Sequence, residues 1–321
     1  GRDANLASSF YGVIPGGLGL AGESLYPDGI VGQEFLSSAA VANFRNMLNS
    51  AVGSPGDWVA APFRDGPDTD SALFFRSTKV ALLAADGSVV ANTNLANPAA
   101  PLGNGTLAAT IVAPGVSGNF CTQPRHTIRY DLVPLGYSGA AARMSIYSVH
   151  LKAQGSNSAC PAGENAQGRR LVEVQRIRAN ISGINTNGTG TAMPAGYTYM
   201  IAGDTNINAG LTFVTSTITS GRVWDPINSP GSWNNSCASN FRYIHTQDPA
   251  SGGQVDDRHD QILVSDTLLD GVGLDYRQFH NVGYFSGAGG TPSSVWTFSN
   301  STALDPEHTY RCWGNDGFNC D

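Results

Sequence analysis

This sequence predicts an α/β fold of packed β-sheets flanked by helices, and three observations carry that expectation. Short apolar stretches of strand character outnumber helical ones. Residues 37–50 and 167–184 repeat their apolar residues at helical spacing. Charged residues make up only 13% of the 321-residue chain, about half the usual share. Gly, Ser, Thr, Asn and Ala fill that gap, which suits strands joined by long polar loops.

The elements follow in chain order. Residues 29–34 form a short apolar strand ending in an acid. Residues 37–50 carry Ala40, Val41, Phe44, Met47 and Leu48 on one helical face. Residues 71–76, 80–84, 128–133 and 144–151 read as strands. Residues 167–184 form an amphipathic helix, with Leu171, Val174, Ile177 and Ile181 on one side and arginines on the other. Residues 197–202 and 261–264 are further strands. Gly/Pro/Asn-rich stretches are frequent but short, and no internal repeat is visible. Residues 1–321 therefore read as a single domain.

Composition bounds the function. The only lysines are Lys79 and Lys152, and the net charge is -7. Any grip on a polyanion must come from a local patch or a bound metal ion. Cys121, Cys160, Cys237, Cys312 and Cys320 lack Cys-x-x-Cys spacing, so a structural zinc site is not expected. One or two disulfides would leave a thiol over, and Cys312 and Cys320 are near enough in sequence to bridge. Low charge, few lysines and possible disulfides point to an extracellular or cell-envelope location. No apolar run has the length of a membrane span, and a monomer is expected. The chain opens at Gly1 without an initiator Met or visible signal peptide, which reads as a piece whose start is missing.

Four segments place a polar group at the end of an apolar strand, where a rigid scaffold presents reactive groups. Glu34 follows 29–33 and offers a hard oxygen ligand for Mg²⁺ or Mn²⁺; the alternative is a helix N-terminal acid favoured by the macrodipole. His150 shares a strand face with Ile146 and Ser148. Its imidazole suits donation to a phosphate oxygen or protonation of a leaving group; the alternative is a hydrogen-bonded strand-end histidine. In 199–206 a hydrophobic strand meets Gly203, then Asp204 and Asn206. Asp204 can orient or deprotonate a water and Asn206 can hold a phosphate; the alternative is a solvated Asx turn. In 257–263 Asp260 opens a strand where it can orient a histidine; the alternative is a surface ion-pair cluster with Asp257 and Arg258.

The order Gln-Glu, Val-His-Leu, Gly-Asp-x-Asn and Arg-x-Asp before an Ile-Leu strand resembles the endonuclease/exonuclease/phosphatase superfamily, over roughly residues 28–266. The resemblance implies a four-layered α/β/β/α sandwich, with two mixed sheets face to face and helices outside. It also implies Glu34 and Asp204 as ligands of Mg²⁺ (or Mn²⁺). His150 would contact the scissile phosphate, Asp204 and Asn206 would position the attacking water and phosphate, and Asp260 would hold a catalytic histidine. Two departures stand out: no Asn-bearing first strand precedes Glu34, and no terminal Ser-Asp-His segment follows. His308 is the substitute the sequence offers, in a segment that reads as a loop.

Among other cations, Arg125 suits phosphate recognition through its planar fork, while Arg129 reads as a sheet-edge ion pair. Arg169, Arg170, Arg176 and Arg178 read with Glu173 as a solvated helix face. His126, His245, His259 and His280 lack metal-type spacing. Trp233 and Trp313 read as buried loop anchors, with base stacking as the alternative. The leading expectation is a phosphodiesterase hydrolysing DNA or RNA by activated water. The alternatives are a phospholipid or small-molecule phosphatase of the same fold, or a non-catalytic binding domain.

Overall fold

Strand alternation stacks two sheets, and the faces are settled by which residue of each pair is apolar and large. The computed structural model describes residues 2–12, 24–91, 95, 108–116, 123–153, 165–184, 191–207, 223–224, 259–270 and 274. The five cysteines, Asp257, Arg258, His245, His280, His308, Trp233 and Trp313 lie outside these residues.

A first helix, α1 (Arg2–Tyr11), precedes β1 (Gly29–Phe35) and α2 (Ser38–Ser50). Then come β2 (Trp58–Ala60), β3 (Asp70–Arg76), β4 (Val80–Leu83), β5 (Thr110–Ala113), β6 (Thr127–Pro134) and β7 (Met144–His150). The helix α3 (Ala166–Ile181) leads into β8 (Thr198–Asp204), β9 (Val223–Trp224) and β10 (Asp260–Ser265). The smaller sheet has the order β1-β3-β2 and is antiparallel throughout its described strands. The larger sheet runs β4-β6-β7-β8-β10-β9, with β5 also on β6. It is mixed, because β7 and β8 pair in parallel while its other pairs are antiparallel.

On β3, Leu73 and Phe75 point into the space between the sheets and meet Ile128, Tyr130, Leu132 and Ile146. Ala72 and Phe74 point the other way, toward Val41, Phe44 and Leu48 of α2. On the larger sheet, Tyr147, Val149, Tyr199 and Ile201 face Val174 and Ile177 of α3. The layers are thus α2, small sheet, large sheet and α3, the sandwich the sequence led us to expect. Ser37 starts α2 by accepting a hydrogen bond from the Ala40 backbone N–H at 3.2 Å, which satisfies one of the free N–H groups of the first turn.

The helix α3 departs from its expected division into apolar and solvated sides. Arg170, Glu173 and Asn180 are buried beneath it. Asn180 joins a polar network on the sheet: Arg129 donates to Asn180 Oδ1 at 2.8 Å and pairs with Asp131 at 3.1 Å, and Tyr147 donates to Asn180 Oδ1 at 2.9 Å. Arg129 is therefore an ion-pair residue, but a buried one and not at an exposed edge. Breaking such a buried pair by removing one partner costs roughly 3–5 kcal/mol.

Asp70 is a buried acid at the start of β3 whose carboxylate oxygens close no well-formed hydrogen bond, although the Gly66 backbone N–H approaches and partly offsets its desolvation. Burial pushes its pKa up to about 6, and the carboxylates of Asp65 and Asp68 add to the rise. The folded state thus holds this proton more tightly than the unfolded chain does. Its contribution is fully present below about pH 4 and is lost as the pH rises through about 6. Asp70→Asn is expected to match the wild type near pH 4 and to exceed it by up to roughly 3 kcal/mol at about pH 8. Denaturant unfolding at both pH values checks this. A less stable variant at the higher pH would mean that Asp70 is held as an anion.

Candidate functional site

Three neighbouring strands deliver three of the expected residues to one place. In the parallel β7–β8 ladder His150 lies opposite Asp204, and in the antiparallel β8–β10 ladder Asp260 lies opposite the same Asp204. His150 and Asp204 are both the last residues of their strands, and carboxyl ends of parallel strands are where open α/β sheets bind ligands.

Gly203 makes this approach possible. Its φ is +132°, and a Cβ placed there would fall 2.1 Å from the Val149 carbonyl oxygen and 2.8 Å from Gln33 Nε2. Only glycine lets the backbone pass. The chain then turns back through an Asx turn, with Asn206 N–H donating to Asp204 Oδ1 at 2.8 Å. Asn206 has a φ of +48°, a left-handed conformation that asparagine tolerates better than most residues. The turn is clamped on both sides. The Leu151 N–H donates to the Asp204 carbonyl at 2.9 Å, and Asn206 Nδ2 donates to the Leu151 carbonyl at 3.0 Å. On the other side, both the N–H and the hydroxyl of Thr205 donate to the His259 carbonyl at 2.8 Å.

His150 is 7% exposed, and its buried Nδ1 has no hydrogen-bond partner. Burial, with the Arg125 charge adding to it, pushes its pKa down to about 3. The ring is therefore neutral near pH 7. Its Nε2 lies 3.6 Å from Asp204 Oδ2, beyond hydrogen-bond range. This is a close polar approach and not an ion pair. Of the two chemical roles expected for His150, hydrogen-bond donation fits a neutral imidazole and protonation of a leaving group does not.

The smaller sheet supplies the opposite wall. Gln33 Nε2 donates to Ser148 Oγ at 3.5 Å, two residues before His150. The β1–β3 register slips between Gly32 and Phe35, so Glu34 sits within a bulge and not past the strand end. Its φ is +67° and its side chain is exposed. A non-glycine residue in that region stores backbone strain, a feature that concentrates at functional sites. A cavity of about 460 Å³ between the sheets reaches Gln33, Gly203 and Asp260 at this end. Arg125 does not reach out freely. It pairs with Asp68 at 3.2 Å, donates to Thr69 Oγ1 at 3.1 Å, and approaches the Leu151 carbonyl at 3.5 Å.

Mg²⁺ is commonly held by one or two carboxylates plus water; the two carboxylates the sequence put forward, Glu34 and Asp204, each adjoin a residue of the Gln33–Gly203 approach between the sheets. Among the described residues no group of three His, Cys, Asp or Glu side chains could enclose a metal ion. Sequence reasoning missed the carbonyls of Leu151 and His259, because a backbone acceptor leaves no mark on residue type. It gave Gln33 no role of its own, although that residue adjoins the Glu34 it singled out.

No family model and no curated protein matches the sequence. Among solved structures, the chain is similar to D. rerio TDP2 complexed with a single strand DNA product, at 14% identity over 74% of this chain and 71% of that chain, with a TM-score of 0.40. It is also similar to an endonuclease/exonuclease/phosphatase family protein from Bacteroides thetaiotaomicron (14% identity, 74% and 69% covered, TM-score 0.41). A mannosyl-6-phosphatase from the same organism gives 14% identity, 74% and 71% covered, and a TM-score of 0.39. The roles of individual residues rest on this chain's own geometry.

Two outcomes follow from that geometry. Gly203→Ala is expected to destabilise the fold by several kcal/mol, on the order of 3 or more, because the clash is with backbone; a melting curve unchanged from wild type would contradict the close approach. In an NMR titration the His150 ring is expected to remain neutral down to about pH 4. A midpoint near the ordinary histidine value would show that Asp204 holds it as a cation.

Proposed function

We propose that this protein is a metal-dependent phosphoesterase of the endonuclease/exonuclease/phosphatase kind, acting by preference on the phosphodiesters of DNA or RNA. The observation that carries the reading is the alignment of His150, Asp204 and Asp260 on adjacent strands, with Asn206 on the turn that follows. One group can activate water, one can donate to an oxyanion, and carboxylates are present to attract a cation. In-line hydrolysis of a phosphate ester asks for that combination.

Glu34 and Asp204 would hold Mg²⁺ or Mn²⁺, which neutralises charge on phosphoryl oxygens when bound. Asp204 would orient the attacking water and take its proton, because it is the carboxylate nearest His150. Neutral His150 would donate one hydrogen bond to a non-bridging phosphoryl oxygen. Asn206 already uses one Nδ2 hydrogen on the Leu151 carbonyl, which aims its amide and leaves it able to hold substrate or water. Asp260 adds negative charge opposite Asp204 and would orient a histidine supplied from elsewhere in the chain. Arg125 would act mainly by holding the Asp68–Thr69 loop and the Leu151 carbonyl near the site, with its fork facing a substrate phosphate.

Activity would be screened with Mg²⁺ on plasmid DNA, sphingomyelin and a chromogenic phosphodiester. Asp204→Ala is expected to lower turnover by about 100-fold or more while the protein stays folded. Equal turnover in the variant would remove the mechanism. Preference for sphingomyelin, or for a phosphomonoester added to the screen, would reassign the substrate and keep the chemistry. No turnover on any of them would favour a binding domain. Mg²⁺ is also expected to raise the melting temperature of the wild type and to have a smaller effect on Asp204→Ala.

A further inference from the structure

Lys152, two residues past His150, is held by α3 through both of its backbone polar groups. Glu173 Oε2 accepts the Lys152 N–H at 3.0 Å, and Arg170 Nη1 donates to the Lys152 carbonyl at 2.6 Å. Glu173 is 1% exposed and Arg170 is 3% exposed. Neither side chain was expected to be inside, because four arginines and a glutamate on a helix ordinarily make a solvated face. Their burial needs a reason, since a desolvated charge is costly unless its hydrogen bonds repay it.

The clamp adjoins three contacts of Leu151. Leu151, between His150 and the clamped Lys152, donates its N–H to the Asp204 carbonyl. Its own carbonyl accepts from Asn206 Nδ2 and is approached by Arg125. His150 is the last residue of β7; Leu151 is still tied to Asp204 and Asn206, and at Lys152 the helix takes over.

We infer that Glu173 and Arg170 are positioning residues: by gripping both polar groups of Lys152 they hold the Leu151 carbonyl, and through it His150 and Asn206, in the geometry the reaction requires. Neither residue touches substrate in this account. The inference rests on the phosphoesterase reading for its effect on rate, but not for its effect on structure. Burial pushes the Glu173 carboxyl up to about 7, while the Lys152 N–H, Arg170, Arg169 and Arg125 pull against that rise. Those contacts favour the carboxylate, the form that accepts most strongly from the peptide.

The test uses the full chain with Glu173→Leu, Glu173→Gln and Val174→Ala. Val174 is a buried core residue on the same helix, so its variant loosens α3 without touching the clamp. In Glu173→Leu, kcat is expected to fall by about 10- to 100-fold, the scale set by small misplacements of reacting groups. KM should change by less than about two-fold, as for an interaction made only in the transition state. Glu173→Gln keeps an acceptor oxygen for Lys152 and should recover most of the loss. Val174→Ala should leave kcat near wild type. Independently of turnover, the His150 ring and Asn206 amide resonances should shift in Glu173→Leu and stay put in Val174→Ala, and the Lys152 amide should lose its protection from hydrogen exchange.

A folded Glu173→Leu with unchanged kcat, or with His150 and Asn206 resonances at their wild-type positions, would overturn the inference. So would an equal kcat loss in Val174→Ala. If the wild type turned over no phosphoester and those resonances still shifted, the clamp would stand and the phosphoesterase reading would fall. Should Glu173→Leu fail to fold, Arg170→Lys, whose shorter, non-planar head shifts the donor to the Lys152 carbonyl, carries the same resonance test, and unmoved His150 and Asn206 signals there would overturn it.

Discussion

The in-register parallel pairing of β7 with β8 is the constraint on which the rest depends. Two parallel strands that end together place His150 and Asp204 side by side at the carboxyl ends of two interior strands. The antiparallel partner β10 then starts at the same level with Asp260. A slip of one residue along either ladder would send one of these side chains to the opposite face of the sheet. Register is protected here by bulk on both faces: Ile146 and Ala202 fill the space between the sheets, while Tyr147, Val149, Tyr199 and Ile201 pack beneath α3. Apolar packing remote from the chemistry thus decides which polar groups can cooperate.

Beyond the strand ends, hydrogen bonds take over from packing. The turn at Asp204 is tied to Leu151 on one flank and to His259 on the other, and Leu151 is followed by Lys152, whose backbone α3 grips. Each tie uses a backbone group that would otherwise be an unsatisfied buried donor or acceptor. Among the described residues of this region, buried His150 Nδ1 and Arg170 Nε have no hydrogen-bond partner. An unsatisfied buried imidazole nitrogen in a rigid surround suits a site that completes its hydrogen bonds with a ligand. Glu34 and Asn206 add positive φ values, the kind of backbone strain that concentrates at functional sites, at two residues of the proposed site.

Much of this was legible in the sequence because it depends on periodicity. The alternation in 144–151 and the helical spacing in 37–50 and 167–184 mark these strands and helices and their apolar sides, while the order of four layers came from the resemblance of the motifs to a known superfamily. The strand that carries Asp204 was read as stopping at Ala202, since Gly203 looks like a turn; the ladder instead runs through the glycine to Asp204. Short elements such as β2, β5 and β9, and the helix α1, were missed because a few residues carry too little periodic signal. The burial of Arg170 and Glu173 was misread for a different reason. A charged residue at i, i+3 spacing looks the same whether it faces water or a backbone peptide it will grip. The placement of Glu34 in a bulge was likewise invisible, because a bulge is a relation between two strands and not a property of one.

Anomalous diffraction from crystals soaked in Mn²⁺ tests the central claim most directly, because it locates the cation without reference to activity. The account expects one strong peak within coordination distance of the Asp204 and Glu34 carboxylates, on the open side of the His150–Asp204–Asp260 row. A peak elsewhere on the molecule, with none at those two carboxylates, would contradict it.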